Sequence, residues 1–258
     1  MHETILETTG LSKEFLGFKA VSDVSLKVRR GSIHGLIGPN GAGKTTCFNL
    51  LTKFLPPTHG AIRFDGRDIT SLKPADVARL GLVRSFQISA VFPHLTVLEN
   101  VRVALQRERG ASFDFWRSDA VLRRYDARAR ELLEDVGLSG YAHLTAGQLP
   151  YGRKRALEIA TTLALDPVMM LLDEPTAGMT AEDVDRIVAL VKRVAEGRTV
   201  LMVEHNLKVV EGLCDTITVL TRGRVLAEGG YAEVSRNPEV IAAYLGADPG
   251  ISGGQAHG

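Results

Sequence analysis

The 258-residue sequence predicts an α/β protein with a strand-rich first third and a mostly helical insertion in the middle. Three observations lead there. Gly38-Pro39-Asn40-Gly41-Ala42-Gly43-Lys44-Thr45-Thr46 reads G-x-x-x-x-G-K-T, with the apolar run 33–37 before it and Cys47, Phe48, Leu50, Leu51 and Phe54 at helical spacing after it. The short apolar runs 168–172 and 199–203 are bounded by polar residues and read as buried parallel strands. Residues 88–165 carry helical periodicity instead.

The loop residues suit the phosphates of a nucleoside triphosphate. Glycines at 38, 41 and 43 let backbone N–H groups approach an anion with no Cβ in the way. The helix opening at Lys44 turns its positive end toward the same point. Lys44 adds a full charge near the β- and γ-phosphates, and the Thr45 hydroxyl is placed to ligate Mg²⁺. A Gly-rich turn before a helix would explain the glycines but not Gly-Lys-Thr at that register.

Composition narrows the setting. The hydrophobic fraction of 45% allows a sizeable core, and a net charge of +1 argues for no nucleic-acid partner. Cys47 and Cys214 sit in apolar surroundings, suggest neither a disulfide framework nor a metal site, and fit a reduced cytosolic setting. Met1-His2-Glu3-Thr4 lacks the basic then apolar pattern of a secretory signal, and no apolar run approaches membrane-spanning length. Any membrane role is therefore expected to be peripheral, through other subunits.

In chain order, residues 4–9 form a first strand, and Val24, Leu26 and Val28 alternate with polar residues as a half-buried strand. Pro56-Pro57-Thr58-His59-Gly60 breaks the chain, and Ile62 and Phe64 lead to an Asp65-Gly66 hairpin turn. Leu82 to Gln87 is a strand ending in a polar residue. Thr96-Val97-Leu98-Glu99 is a capping box. Residues 107–119 show no assignable pattern, 120–136 are helical with Gly137 as the cap, and a third helix runs from Gly152 to Leu165. Thr180 caps a helix with Val184, Ile187, Val188, Val191 and Val194 inward, and Asn206 caps the next. Residues 217–220, Arg222-Gly223 and 225–227 make a closing hairpin, and a short helix covers 238–245. The Gly-rich tail has no core pattern and is expected to be flexible.

Chemistry extends beyond the loop. Asp173-Glu174 ends the 168–172 strand, and ligands bind at the carboxyl ends of strands in such sheets. Asp173 would hold Mg²⁺ directly or through water, and Glu174 would orient the attacking water. His205, after the 199–203 strand, would donate to the γ-phosphate or to that water. Gln87, at the end of its own strand, would reach metal and water.

The phosphate loop, Gln87, a Leu-x-x-Gly segment before a helix, Leu171-Leu172-Asp173-Glu174-Pro175 and Glu204-His205 come in an order that resembles ATP-binding subunits of ABC transporters. The resemblance covers about residues 3 to 246. It implies a P-loop NTPase (RecA-like) core over 1–87 and 166–246, with an antiparallel β subdomain, a helical subdomain over 88–165, and a flexible tail over 247–258. It also implies ATP and Mg²⁺ as ligands, and Phe15, or Phe18 nearby, as the aromatic that stacks on adenine. Two core phenylalanines would look the same. Within the family the chain looks most like the larger ATPase subunit of branched-chain amino-acid importers. That rests on Arg84-Ser85-Phe86-Gln87, on 91–101, on Ala177-Gly178-Met179-Thr180, on the long insert, and on the ending 237–246. Urea and short-chain amide importers share most of these features. A non-transport ABC ATPase would usually carry a second cassette or a coiled-coil insertion.

The resemblance implies partners: a second ATPase subunit that sandwiches ATP, two transmembrane permeases, and indirectly an extracytoplasmic solute-binding protein. The chain would then be cytoplasmic and peripheral on the inner face of the membrane, docked through an apolar edge formed by Val91, Phe92, Pro93 and Leu95. Its signature, usually Leu-Ser-Gly-Gly-Gln, reads Leu149-Pro150-Tyr151-Gly152-Arg153 and would act on the partner's site. Pro150 removes a hydroxyl and an N–H there, and Arg153 replaces a neutral amide with a cation. The expectation is an asymmetric pair in which one composite site hydrolyses poorly. Thr180 stands where many relatives carry Asp.

Overall fold

The computed structural model describes residues 3–85, 91–106 and 123–245. Contacts divide the chain into two compact units, one of residues up to 72 and from 203 onward, the other of residues 73–202.

The first unit opens with β1 (Thr4–Phe15) and β2 (Phe18–Val24), joined at Leu16-Gly17. Both turn residues have positive φ, 47° and 87°, as a two-residue hairpin matched to strand twist requires. β3 (Lys27–Arg29), β4 (Ile33–Ile37), α1 (Lys44–Leu51), β5 (His59–Phe64) and β6 (Arg67–Asp68) follow. The antiparallel sheet runs β2-β1-β5-β6, with β3 also on β1. The alternation of Val24, Leu26 and Val28 is a true burial pattern but not one strand. Val24 pairs with Leu11 in β2, whereas Val28 pairs with Leu6 in β3. Buried Thr8 causes the break. Its hydroxyl donates to the Val24 carbonyl at 2.9 Å and accepts from the Leu26 N–H at 2.9 Å, in place of a continuous ladder.

The second unit contains α2 (Pro74–Arg79), β7 (Leu82–Ser85), α3 (Val97–Gln106), α4 (Asp126–Asp135), α5 (Tyr151–Leu163), β8 (Met169–Asp173), α6 (Ala181–Ala195) and β9 (Thr199–Val203), whose last residue is where the first unit resumes. Its strands run β9-β8-β7, with Leu82 to Ser85 in parallel register on Met169 to Leu172. The capping box forms: Glu99 accepts from the Thr96 N–H at 2.7 Å, and the Thr96 hydroxyl accepts from the Glu99 N–H at 3.2 Å. α4 begins at Asp126 after a 3₁₀ turn, later than the expected 120, and residues 120–122 lie outside the described residues. Gly137 (φ 71°) ends it, and Leu138 N–H reaches back to the Leu133 carbonyl at 2.7 Å. The β8 run starts one residue later than expected. Val168 is 41% exposed, while Asp173 is the last residue of the strand and buried. On α6 the Thr180 hydroxyl accepts from Asp183 N–H as expected, but the buried stripe is Ile187, Leu190, Val191 and Val194, with Val184 and Val188 half-buried. Phe54 falls beyond α1 and is exposed.

The chain then returns to the first unit with α7 (Leu207–Leu213), β10 (Thr216–Thr221), β11 (Arg224–Gly229), α8 (Tyr231–Val234) and α9 (Pro238–Leu245). β10 lies parallel to β4 and antiparallel to β11. Ile37, Val210, Ile217, Val219, Val234 and Val240 form the core between this sheet and its helices, and Tyr244 of α9 packs onto it. Among the described residues no helix is long and apolar enough to cross a membrane.

Candidate nucleotide site

The first unit carries the phosphate loop. β4 delivers Gly38, and α1 opens at Lys44 behind Gly43, a left-handed cap (φ 99°) that offers no side-chain oxygen to the helix. Two glycines are dictated by crowding. A Cβ on Gly38 would stand 2.1 Å from the Leu220 carbonyl oxygen, and one on Gly43 would stand 2.5 Å from that of Ala20. The loop is thus wedged between β2 and β10. The β10–β11 turn locks it further: Gly223 N–H donates to the Ala42 carbonyl at 3.0 Å, and its carbonyl accepts from Ser22 N–H at 2.8 Å. Such a loop keeps its N–H groups aimed before any ligand arrives.

Buried Lys44 folds back over its own loop, donating from Nζ to the carbonyls of Gly38 at 2.6 Å and Pro39 at 3.0 Å. Thr45 is exposed on the first turn of α1. Pro39, Asn40, Gly41 and Ala42 line one side of a 540 Å³ cavity whose other wall includes Arg222, Leu226 and, from α9, Glu239, Ala242 and Ala243. Phe15 and Phe18 face each other across the first hairpin, 41% and 69% exposed, so neither is a core phenylalanine. Lys13 Nζ stands 5.2 Å from the Phe15 ring centre.

His205 is exposed just after β9. Its backbone is held by fully buried Glu204, whose Oε2 accepts from the N–H groups of His205 at 3.1 Å and Asn206 at 3.3 Å. Asn206 Oδ1 in turn accepts from Lys208 N–H at 3.1 Å and caps α7. From sequence Glu204 is named only within the Glu204-His205 motif and carries no role of its own. The signal for it was a carboxylate at the end of an otherwise apolar strand.

The second unit carries Asp173, Glu174 and the Leu149 to Arg153 segment. Asp173 is buried and paired with Arg84 of β7. Glu174 follows in the left-handed region (φ 45°), a strained placement for a non-glycine residue. Gln87 lies outside the described residues. Leu149 is buried, and Pro150 is the N-cap of α5 without any side-chain cap bond. The Pro150 carbonyl still accepts from Arg153 N–H and Lys154 N–H, each at 3.0 Å, so the substitution keeps the helix start and loses the hydroxyl. Tyr151 is exposed, Gly152 is buried against α6, and the Arg153 guanidinium stacks 4.2 Å from the Tyr141 ring centre.

Among the described residues no group of three or more His, Cys, Asp or Glu side chains forms a cage for a metal. The Thr45 hydroxyl and the Asp173 carboxylate are hard oxygen donors, the kind Mg²⁺ accepts alongside nucleotide phosphates. Burial pushes the Cys47 and Cys214 thiols up to about 12, so both are protonated and inert at neutral pH.

Comparison with known proteins identifies the family. Residues 21–177 match the ABC transporter family, and residues 224–249 match the branched-chain amino acid ATP-binding cassette transporter family. The chain is 41% identical to the high-affinity branched-chain amino acid transport ATP-binding protein BraF of Pseudomonas aeruginosa, over 95% of this chain and 99% of that one. It is 38% identical to LivG of Escherichia coli K12, a protein of the same description, over 95% and 99%. Among solved structures it resembles the ADP conformation of MJ1267, an ATP-binding cassette of an ABC transporter, with a TM-score of 0.82 at 31% identity over 95% of this chain and 100% of that one. The dimeric post-hydrolysis state of the cassette MJ0796 with ADP and Pi gives 0.74 at 28% identity over 88% and 99%. The fold is therefore a P-loop NTPase core with an antiparallel β portion and an inserted helical portion. The chain belongs to the ABC transporter family, as one of its ATP-binding cassettes.

Proposed function

We propose that this ATPase drives uptake of branched-chain, hydrophobic amino acids, as the peripheral cytoplasmic subunit of an importer. The observation that carries the transport reading is the match of residues 224–249, the β11–α9 segment, to the branched-chain amino acid cassette family. Full-length similarity to BraF and LivG supports it. The partners are a second ATPase subunit, two permeases and, through them, an extracytoplasmic binding protein.

The roles divide as follows. N–H groups of residues 38–46 and the Lys44 ammonium hold the phosphates, and Phe15 stacks on the base. Thr45, Asp173 and Gln87 would hold Mg²⁺, which when bound neutralises phosphate charge. Glu174 orients and deprotonates the attacking water, and His205 donates to the γ-phosphate. Leu149 to Arg153 completes the partner's site, and Pro150 leaves that site one hydroxyl short. The 1–87 and 166–246 segments act as the core and 88–165 as the helical subdomain, with 247–258 as a tail.

Glu174→Gln keeps the shape of the side chain and removes the base. With the partner subunit present, ATP affinity should stay within about twofold while hydrolysis falls about a hundredfold or more. Full turnover in that variant would remove Glu174 from its role. In cells lacking this chain, labelled leucine uptake should be lost; loss of urea uptake with leucine uptake intact would move the substrate to the amide class.

A further inference from the structure

The Asp173 carboxylate has a second claimant. Its side chain is 2% exposed, and that of Arg84, its ion-pair partner, is 9% exposed. An aspartate this deep needs a countercharge, because an unpaired buried carboxylate is strongly disfavoured. The parallel register of β7 on β8 supplies one: it sets Arg84 opposite Leu171, so the guanidinium reaches along the sheet to the carboxylate two residues on. Arg84 Nη2 donates to Asp173 Oδ2, while Oδ1 accepts no hydrogen bond among the described residues. One oxygen is committed to a fixed cation of the protein, and the other accepts from none of the described residues.

We propose that Arg84 is a positioning residue that competes with the divalent cation for Asp173. It holds the carboxylate neutralised and aimed, and it lowers the attraction of that carboxylate for a second cation. The electrostatics are direct. A guanidinium in contact with the carboxylate cancels most of its field in a water-poor site, where charges interact far more strongly than in bulk water. The cation that enters with nucleotide is held well only when phosphate oxygens contribute. The effect is to tie cation occupancy to nucleotide occupancy. The inference rests on the reading of Asp173 as a cation ligand, and it extends that reading to the residue that tunes it.

The test uses the full chain loaded with ADP, titrated with Mn²⁺ and followed by electron paramagnetic resonance. Arg84→Gln removes the competing charge and should tighten Mn²⁺ binding about tenfold. Arg84→Lys keeps a charge but not the planar fork, and should tighten it about two- to threefold. Adding Asp173→Asn should erase both gains. Simple structural damage would weaken cation binding and cannot produce a gain. If Arg84→Gln does not fold, the Lys variant decides alone. Unchanged or weaker Mn²⁺ binding in a folded Arg84 variant overturns the inference. Asp173→Asn in the otherwise unaltered chain separates the two claims: if it leaves Mn²⁺ binding untouched, Asp173 is not a ligand and both readings fall. If it weakens binding while Arg84 variants show no gain, only the competition falls.

Discussion

Gly152 of α5 meets Asp183 of α6 so closely that a Cβ at position 152 would stand 2.7 Å from the Asp183 carboxylate. That carboxylate is not free to move aside. Asp183 N–H bonds the Thr180 hydroxyl at 3.3 Å, Oδ2 accepts from that hydroxyl at 3.2 Å, and Oδ1 accepts from Arg186 at 3.0 Å. The glycine of the signature segment is therefore required by packing within this chain, whatever it does for a partner. The contact joins the start of α5 to the cap of α6.

Gly152→Ala decides between two effects. Helix propensity alone predicts a gain of up to about 1 kcal/mol. The clash with Asp183 predicts a loss of about 1–3 kcal/mol. We expect the loss, read by urea unfolding. Coupling should appear when Asp183→Ala is added, because the carboxylate is gone and only the Cβ of residue 183, 3.1 Å away, still crowds the site, so that most of the cost is relieved. A Gly152→Ala cost that persists unchanged in the double variant would locate the strain elsewhere.

Asn100, buried on α3, holds the 91–96 loop. Its Oδ1 accepts from Phe92 N–H at 2.7 Å, and its Nδ2 donates to the carbonyls of Phe92 at 3.1 Å and Thr96 at 2.9 Å. Asn100→Ala strands the Phe92 N–H and leaves each carbonyl only its backbone donor, Leu95 N–H for Phe92 and the residue 100 N–H for Thr96, and should cost about 1–3 kcal/mol, with faster proteolytic cleavage near 91–96. Phe92 is 50% exposed, so Phe92→Asp should cost no more than about 0.5 kcal/mol. If the loop is the docking edge, Phe92→Asp should nonetheless abolish permease co-purification.

His34 predicts a pH dependence. Its Nε2 lies 2.8 Å from the Thr218 hydroxyl, which donates to Glu228 Oε2 at 2.6 Å. The hydroxyl proton is thus spent on Glu228, and His34 is the donor in its neutral form. Burial lowers its pKa from 6.5 to about 4. The unfolded chain takes up this proton below 6.5, while the folded chain resists it until about 4. The contribution is therefore complete above the first value and is lost as pH falls toward the second, by about 3 kcal/mol. His34→Gln should flatten that part of the stability–pH curve, measured by urea unfolding between pH 7 and about 4. Equal slopes in both proteins would show that other groups carry it.

Legibility followed the range of the interaction. The caps at Thr96, Thr180 and Asn206 and the glycine end at Gly137 all join residues within five positions, and each was read directly from sequence. So was the phosphate loop, whose donors come from one short stretch. The split of Val24 from Val28 was not, because it depends on a hydroxyl from Thr8 on another strand. Arg84 passed as an ordinary strand residue for the same reason. Nothing near it in sequence reveals its partner 89 positions away.

By itself the sequence determined which groups are proposed to meet ATP: Lys44, Thr45, Asp173, Glu174 and His205 stand at strand or helix ends marked by local chemistry. Tertiary structure alone decided how the parts of the candidate site are held: Asp173 by Arg84, Gly38 by the Leu220 carbonyl, and Gly152 by Asp183. The first set follows from short-range rules of backbone and charge. The second depends on which strands and helices become neighbours and in what register, and only burial of the whole core settles that.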